Sequence, residues 1–80
     1  MSTNLHWRPV TDGRCIPDYD YALKNALRGE FGDGHRGHPR RLTRDALPFL
    51  RGLKAANVTG AAYLMDMIKK HDEIEVWEES

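Results

Sequence analysis

Six basic side chains lie close together in the middle of the chain, and their types are those that bind anions. Guanidinium groups bind phosphates and carboxylates through two parallel hydrogen bonds, and imidazoles can add a further donor. No Phe, Tyr or Trp lies among the six to stack on nucleic-acid bases. The segment therefore predicts a solvated loop, a nucleic-acid or anion-binding site, or a contact with an acidic protein surface. Its residues are His35, Arg36, His38, Arg40, Arg41 and Arg44.

The end of the chain carries the opposite charge. Residues 72–80 contain five acidic and no basic side chains, whereas residues 29–44 contain four basic and two acidic ones. The whole chain has twelve charges of each sign, and this zero net charge argues against a general nucleic-acid-binding protein. The separated charges can neutralise each other within the fold, keep the protein soluble, or steer a charged partner.

One large aromatic side chain stands among these acidic residues. Ile74 and Val76 share one face of a predicted strand, and Trp77 falls on the other face. Exposed tryptophans often anchor protein interfaces. Packing over the strand edge or against Trp7 is the structural alternative for this side chain. The predicted protein-binding site consists of Trp77, Glu75, Glu73 and Glu78.

The remaining reactive side chains favour neither a metal centre nor catalysis. His35 and His38 form one HxxH pair, whereas a structural zinc site needs four ligands, and the arginines beside the pair would repel a cation. Cys15 has no base at a fixed spacing, and the serines, Ser2 and Ser80, are terminal. No glycine-rich phosphate-binding loop is present. We therefore expect no enzyme activity, no metal and no cofactor.

Length and composition predict one small domain. Eighty residues, 40% of them hydrophobic and 30% charged, suit a single globular unit over residues 1–80. The single cysteine excludes an internal disulfide, as is typical of proteins from a reducing compartment. No apolar run approaches the ~20 residues that cross a bilayer, and no secretory signal is visible. These features predict a cytoplasmic protein with no membrane partner.

Three helices are predicted from the helical spacing of apolar side chains. The first helix begins near Pro17 and ends at Gly29 or Gly32. Lys24 and Arg28 are expected to face outward from it. Its expected buried stripe consists of Tyr19, Ala22, Leu23, Ala26 and Leu27.

The second and third helices form a predicted hairpin. Two residues, Thr43 and Asp45, can cap the second helix; we favour Asp45, with Thr43 opening a short preceding turn. Asn57 is its expected left-handed stop, and Thr59 caps the third helix, which extends to His71. The residues expected to face the core are Ala46, Phe49, Leu50, Leu53, Ala56, Ala61, Leu64, Met65 and Ile68.

Two short strands complete the predicted fold. Residues 4–8 and 73–78 both alternate apolar with polar side chains, and their antiparallel pairing would bring Arg8 to a glutamate. The Gly- and Pro-rich stretch after the first helix is expected to be a flexible loop over about residues 32–42. The predicted class is α+β: a three-helix small domain with a short two-stranded antiparallel ribbon joining the N- and C-termini.

These expectations favour a small non-enzymatic protein that binds another macromolecule. Another protein is the expected partner, bound through Trp77 and its acidic neighbours, as in small bacterial or phage regulators and inhibitors. The alternative is a nucleic-acid or anion-binding module that acts through the arginine-rich loop over residues 35–44. Strong salt dependence of binding would favour this alternative.

Overall fold

The computed structural model of the chain describes residues 4–8, 14–15, 21–35 and 37–79. In these segments the chain has the predicted α+β class, with three α-helices and an antiparallel sheet. No helix in the described segments is long and apolar enough to cross a membrane. The elements are, in order, β1 (Asn4–Arg8), β2 (Arg14–Cys15), α1 (Tyr21–Phe31), β3 (Arg40–Thr43), a 3₁₀ turn (Arg44–Ala46), α2 (Leu47–Ala55), α3 (Ala61–His71) and β4 (Glu73–Glu79).

The sheet is built around the two strands that the alternating pattern predicts. β1 and β4 pair antiparallel, and the backbone register runs from Asn4 opposite Glu79 to Arg8 opposite Glu75. The sheet is wider than the predicted ribbon, because β2 adds to β1 and β3 adds to β4. The strand order is β2-β1-β4-β3.

Strand β3 lies where the sequence predicts a flexible loop over residues 32–42. The prediction is wrong from Arg40 onward, since Arg40 pairs with Val76 and Leu42 pairs with Ile74. Both β3 side chains are buried on the core face of the sheet. In the sequence Arg40 counts as a polar residue, although its side chain is buried like that of Leu42. The alternation of buried and exposed residues along β3 is therefore not visible as an alternation of apolar and polar residue types.

Helix α1 ends as predicted at Gly32, which adopts a φ of 82° and donates its N–H to the Arg28 carbonyl at 2.9 Å. The predicted start at Pro17 and the stripe residue Tyr19 lie outside the described residues. Lys24, expected to face outward, is only 3% exposed. Its ammonium group lies 4.3 Å from the centre of the Tyr21 ring, a cation–π contact that helps to accommodate the charge.

Helix α2 begins at Leu47, one residue later than a cap at Asp45 predicts. Asp45 is not the N-cap; Ala46 holds that position, and Asp45 lies in the 3₁₀ turn. Thr43 opens this turn as predicted, since its hydroxyl accepts the Asp45 N–H at 3.4 Å. Pro48 lies in the first turn of α2, where its missing N–H is tolerated.

The turn between α2 and α3 uses two residues with positive φ. Asn57, with a φ of 63°, follows α2 as predicted. The N-cap of α3 is Gly60, not Thr59, and its φ of 102° is a conformation that glycine adopts without strain. The backbone therefore determines the start of α3, with no side-chain hydrogen bond at the cap.

The main core lies between the helices and one face of the sheet. Leu53 and Phe49, predicted to face it, are only partly buried, and Ala22 and Ala56 are exposed. The buried cluster comprises Leu23, Leu27, Leu42, Ala46, Leu50, Ala61, Leu64, Met65, Ile68, Ile74 and Val76.

Replacing Leu64 and Leu53 separately by alanine distinguishes a fully buried from a partly buried position. Leu64→Ala should lower the free energy of unfolding by about 2–5 kcal/mol, because it leaves a cavity in the core. Leu53→Ala should cost less, because its site is partly open to water. Urea unfolding followed by circular dichroism measures both losses. Equal losses would contradict this placement of the two leucines.

Candidate functional site

A buried arginine is the central residue of the predicted basic segment. The Arg40 side chain is 2% exposed and extends along the core face of β3 toward the end of α1. Its Nε donates to the Gly32 carbonyl at 2.7 Å, and its Nη2 donates to Glu78 Oε1 at 3.1 Å. A Cβ at Gly34 would lie 2.9 Å from the Arg40 Cγ, so the side chain passes where only glycine leaves room. Within the described chain Nη1 has no hydrogen-bond partner.

The Glu78 carboxylate joins three parts of the fold. Its Oε1 accepts from Arg40 on β3, and its Oε2 accepts from Arg28 Nη2 on α1 at 2.8 Å. The Glu78 backbone N–H also donates to the Gly34 carbonyl at 3.1 Å. With 11% of its side chain exposed, Glu78 is an acid held between two guanidinium groups at the edge of the core.

Opposing effects act on the acidity of Glu78. Burial is the largest single effect and raises its pKa, since it disfavours the charged carboxylate. The hydrogen bonds from Arg28 and Arg40, together with their positive charges, outweigh burial. The net result is a lowered pKa for Glu78, so the carboxylate is ionised in the native protein at neutral pH.

Two more arginines of the basic segment pair with the acidic end of the chain. Arg41 Nε lies 2.8 Å from Glu73 Oε1. Arg44 Nε lies 2.8 Å from Asp72 Oδ1, and its Nη2 donates to the Lys69 carbonyl at 3.1 Å, in the last turn of α3. Both pairs are solvent-exposed and therefore contribute little to stability, on the order of 0–1 kcal/mol each.

The predicted basic site and the predicted acidic site therefore pair with each other. Arg40, Arg41 and Arg44 from the basic set meet Glu78, Glu73 and Asp72 from the acidic end, so the separated charges neutralise each other within the fold. From the basic set, His35 and His38 are exposed at a hairpin tip, and Arg36 lies outside the described residues. Glu75 is partly buried in β4.

Trp77 lacks the exposed position that its role in the predicted protein-binding site requires. Its side chain is 1% exposed, although it lies on the sheet face opposite Ile74 and Val76 and outside the main core cluster. In the register it pairs with His6 of β1. Periodicity predicts which residues share a face, but it does not predict whether that face is open. The burial of Trp77 favours the structural alternative, a packed side chain, over an exposed anchor.

Arg28 and Gly34 are the parts of this arrangement that sequence reasoning missed. Arg28 was expected only to face outward from α1; it is 43% exposed, yet it bonds Glu78 fifty positions away and lies 3.4 Å from Asp33. No local spacing indicates a contact over that separation. A glycine in a loop rich in glycine likewise gives no signal that a side chain passes over it.

The described residues include no group of three or more His, Cys, Asp or Glu side chains that could hold a metal ion. Comparisons of the chain with protein-family models, with characterised proteins and with solved structures found no match. What the site can do therefore follows from its geometry: arginines of β3 and the following turn pair with carboxylates at the acidic end of the chain, and their charges neutralise each other.

The lowered pKa of Glu78 predicts a pH dependence of stability. A carboxylate with a lower pKa in the folded than in the unfolded state stabilises the fold above its unfolded pKa of about 4.3. This contribution disappears as the pH falls through the lower, folded pKa. The difference in unfolding free energy between the wild type and Glu78→Gln should therefore be largest at neutral pH and shrink toward acidic pH.

Thermal and urea unfolding between neutral and acidic pH measure this difference. Glu73→Gln is the matched control, because Glu73 also pairs with an arginine but is exposed. It should show a smaller effect. A constant offset between wild type and Glu78→Gln at all pH values would contradict the role of the ionised carboxylate.

Proposed function

We propose that this protein is a small non-enzymatic module that binds another protein in the cytoplasm, as a regulator or inhibitor, and that the partner adds to the outer edge of β3. The position of β3 at one end of the sheet carries the proposal. Among the described residues, no backbone hydrogen bond links residues 40–42 to any element other than β4. Within the described segments, one side of this strand therefore has backbone donors and acceptors with no backbone partner.

An open edge strand is a recurrent docking surface. It presents a row of unpaired N–H and C=O groups, and an extended segment of a partner can pair with them as an additional strand. The main-chain bonds supply affinity and the side chains near the edge supply specificity. The burial of Trp77 and the ion pairs of Glu73 and Glu78 favour moving the proposed contact from the acidic end of the chain to this edge.

The charges along β3 favour an acidic partner segment. Arg41 and Arg44 are exposed at and just beyond the strand. Arg41 is held by an exposed ion pair, and Arg44 is held by an exposed ion pair and a hydrogen bond to the Lys69 carbonyl. Carboxylates of a partner can replace Glu73 and Asp72 at little cost, since such pairs contribute on the order of 0–1 kcal/mol. Two copies joined edge to edge would bring these arginines together, and like charges oppose that pairing.

Nucleic-acid binding through the arginine-rich loop has less support. Arg40 is buried and uses its Nη2 and Nε on Glu78 and Gly32. The carboxylates of Asp72 and Glu73 lie within ion-pair distance of the two exposed arginines and would repel phosphates. The neutralised network therefore favours a protein partner over a polyanion.

Charge reversal at the edge tests the proposal. Arg41→Glu should weaken partner binding roughly tenfold or more, because like charges placed opposite each other in an interface cost several kcal/mol. Arg51→Glu makes the same charge change on an exposed position of α2 and should leave binding unchanged. Quantitative affinity capture from cell lysate on the wild type and both variants, followed by titration of the purified captured protein, measures the effect.

Hydrogen exchange gives an independent readout of strand addition. The partner should slow exchange of the backbone amides in residues 40–42 that point away from β4. Binding that survives Arg41→Glu but is lost in Arg51→Glu would contradict docking of the partner at the edge of β3. Capture that nuclease treatment abolishes would favour the nucleic-acid alternative instead.

A further inference from the structure

The hairpin tip between α1 and β3 holds two histidines in a fixed relation. The His38 N–H donates to the His35 carbonyl at 2.9 Å, and the His35 N–H donates to the His38 carbonyl at 3.3 Å. In such a reciprocally bonded antiparallel pair, both side chains project from the same side of the hairpin. The His35 backbone also bridges Glu78 near the end of β4, which ties the tip to the sheet.

The two imidazole rings are close enough to share one metal ion. Their centres lie 6.2 Å apart, and their planes are inclined by 39°. A zinc ion binds histidine nitrogen at about 2.0–2.1 Å, so two nitrogens on one ion lie at most about 4 Å apart. The nitrogens lie at the rims of the rings, so the two exposed side chains need to approach each other by only a small change of their χ angles to share one ion.

Both imidazoles are also available. The His35 and His38 side chains are exposed, and neither forms a hydrogen bond or an ion pair with a described residue. A ligand can therefore reach the ring nitrogens without breaking a contact of the fold. The fixed backbone lowers the entropy that is lost when the two rings converge on an ion.

The arginines that follow the hairpin repel a cation less than the sequence suggests. Arg40 is buried beneath the sheet edge and is paired with Glu78, and Arg41 extends to Glu73. Each of these positive charges has a carboxylate within 3.1 Å. Pairing with carboxylates therefore reduces the repulsion that Arg40 and Arg41 exert on a cation at the HxxH pair, whereas Arg36, between the two histidines, lies outside the described residues.

We propose that His35 and His38 together bind a divalent transition-metal ion that prefers imidazole ligands, such as Zn²⁺, Ni²⁺ or Cu²⁺. Two protein ligands leave coordination positions for water or for a donor from another molecule, so the site is open, unlike a closed structural zinc site. Metal ions and protons compete for the same imidazole nitrogen, so binding weakens as the pH falls.

Calorimetric titration of the untagged full chain with ZnCl₂ and NiCl₂ at neutral pH tests the site. The wild type should bind one ion per chain. His35→Ala and His38→Ala should each weaken binding at least about tenfold, because either change removes the advantage of two linked ligands. His71→Ala, on α3, is the matched control and should leave the affinity unchanged. Thermal unfolding without metal should show that all three variants keep the fold.

Nuclear magnetic resonance locates the bound ion independently of affinity. Titration should shift the imidazole signals of His35 and His38 together and leave that of His71 in place. Absence of saturable binding by the wild type would overturn the proposal. Binding that persists when both hairpin histidines are replaced, or that His71→Ala removes, would overturn it as well.

Discussion

The arrangement of this small domain depends on one interaction, the pairing of the Glu78 carboxylate with Arg28 and Arg40. A guanidinium group taken out of water is costly unless a charge and hydrogen bonds compensate it. Arg40 is such a group, and Glu78 supplies the charge while the Gly32 carbonyl supplies a further acceptor. Because the three ionic side chains come from α1, β3 and β4, their pairing fixes how the first helix and the third strand meet the end of the chain. The close passage of Arg40 over Gly34 belongs to the same constraint.

This network explains why the separated charges of the sequence do not form two binding surfaces. The basic segment and the acidic end are neighbouring strands, and their arginines and carboxylates face each other across β3 and β4. In the part of the chain that the structure describes, this network leaves open the backbone edge of β3 and the hairpin tip with its two histidines. Both proposals rest on these features. Both also depend on the network, since it leaves Arg41 at the edge and reduces the positive charge beside the histidines.

The parts of the fold set by local periodicity could be predicted from the sequence. The core face of α3, the pairing of β1 with β4 and the stop at Asn57 all follow from spacing and turn chemistry. Strand β3 could not be predicted, because its pairing with β4 depends on an element distant in sequence. The burial of Lys24 and Trp77 could not be decided either, because periodicity does not indicate whether a face is covered. The local sequence pattern around a side chain is the same whether or not another element covers it. This holds for Arg40 and Leu42 on β3, for Lys24 on α1 and for Trp77 on β4. The network at Glu78 was unpredictable for the same reason.

A double-mutant cycle between Arg40 and Glu78 tests the central interaction most directly. Glu78→Gln leaves the buried Arg40 charge without its carboxylate, whereas Arg40→Met leaves Glu78 with Arg28 alone. Removal of one member of a buried pair costs about 3–5 kcal/mol. The double variant should be less destabilised than the sum of the single variants by more than about 1 kcal/mol, because it removes both charges. Free energies from urea unfolding at neutral pH give this coupling. Losses that add to within about 0.5 kcal/mol would show that the two groups act independently and would contradict the account.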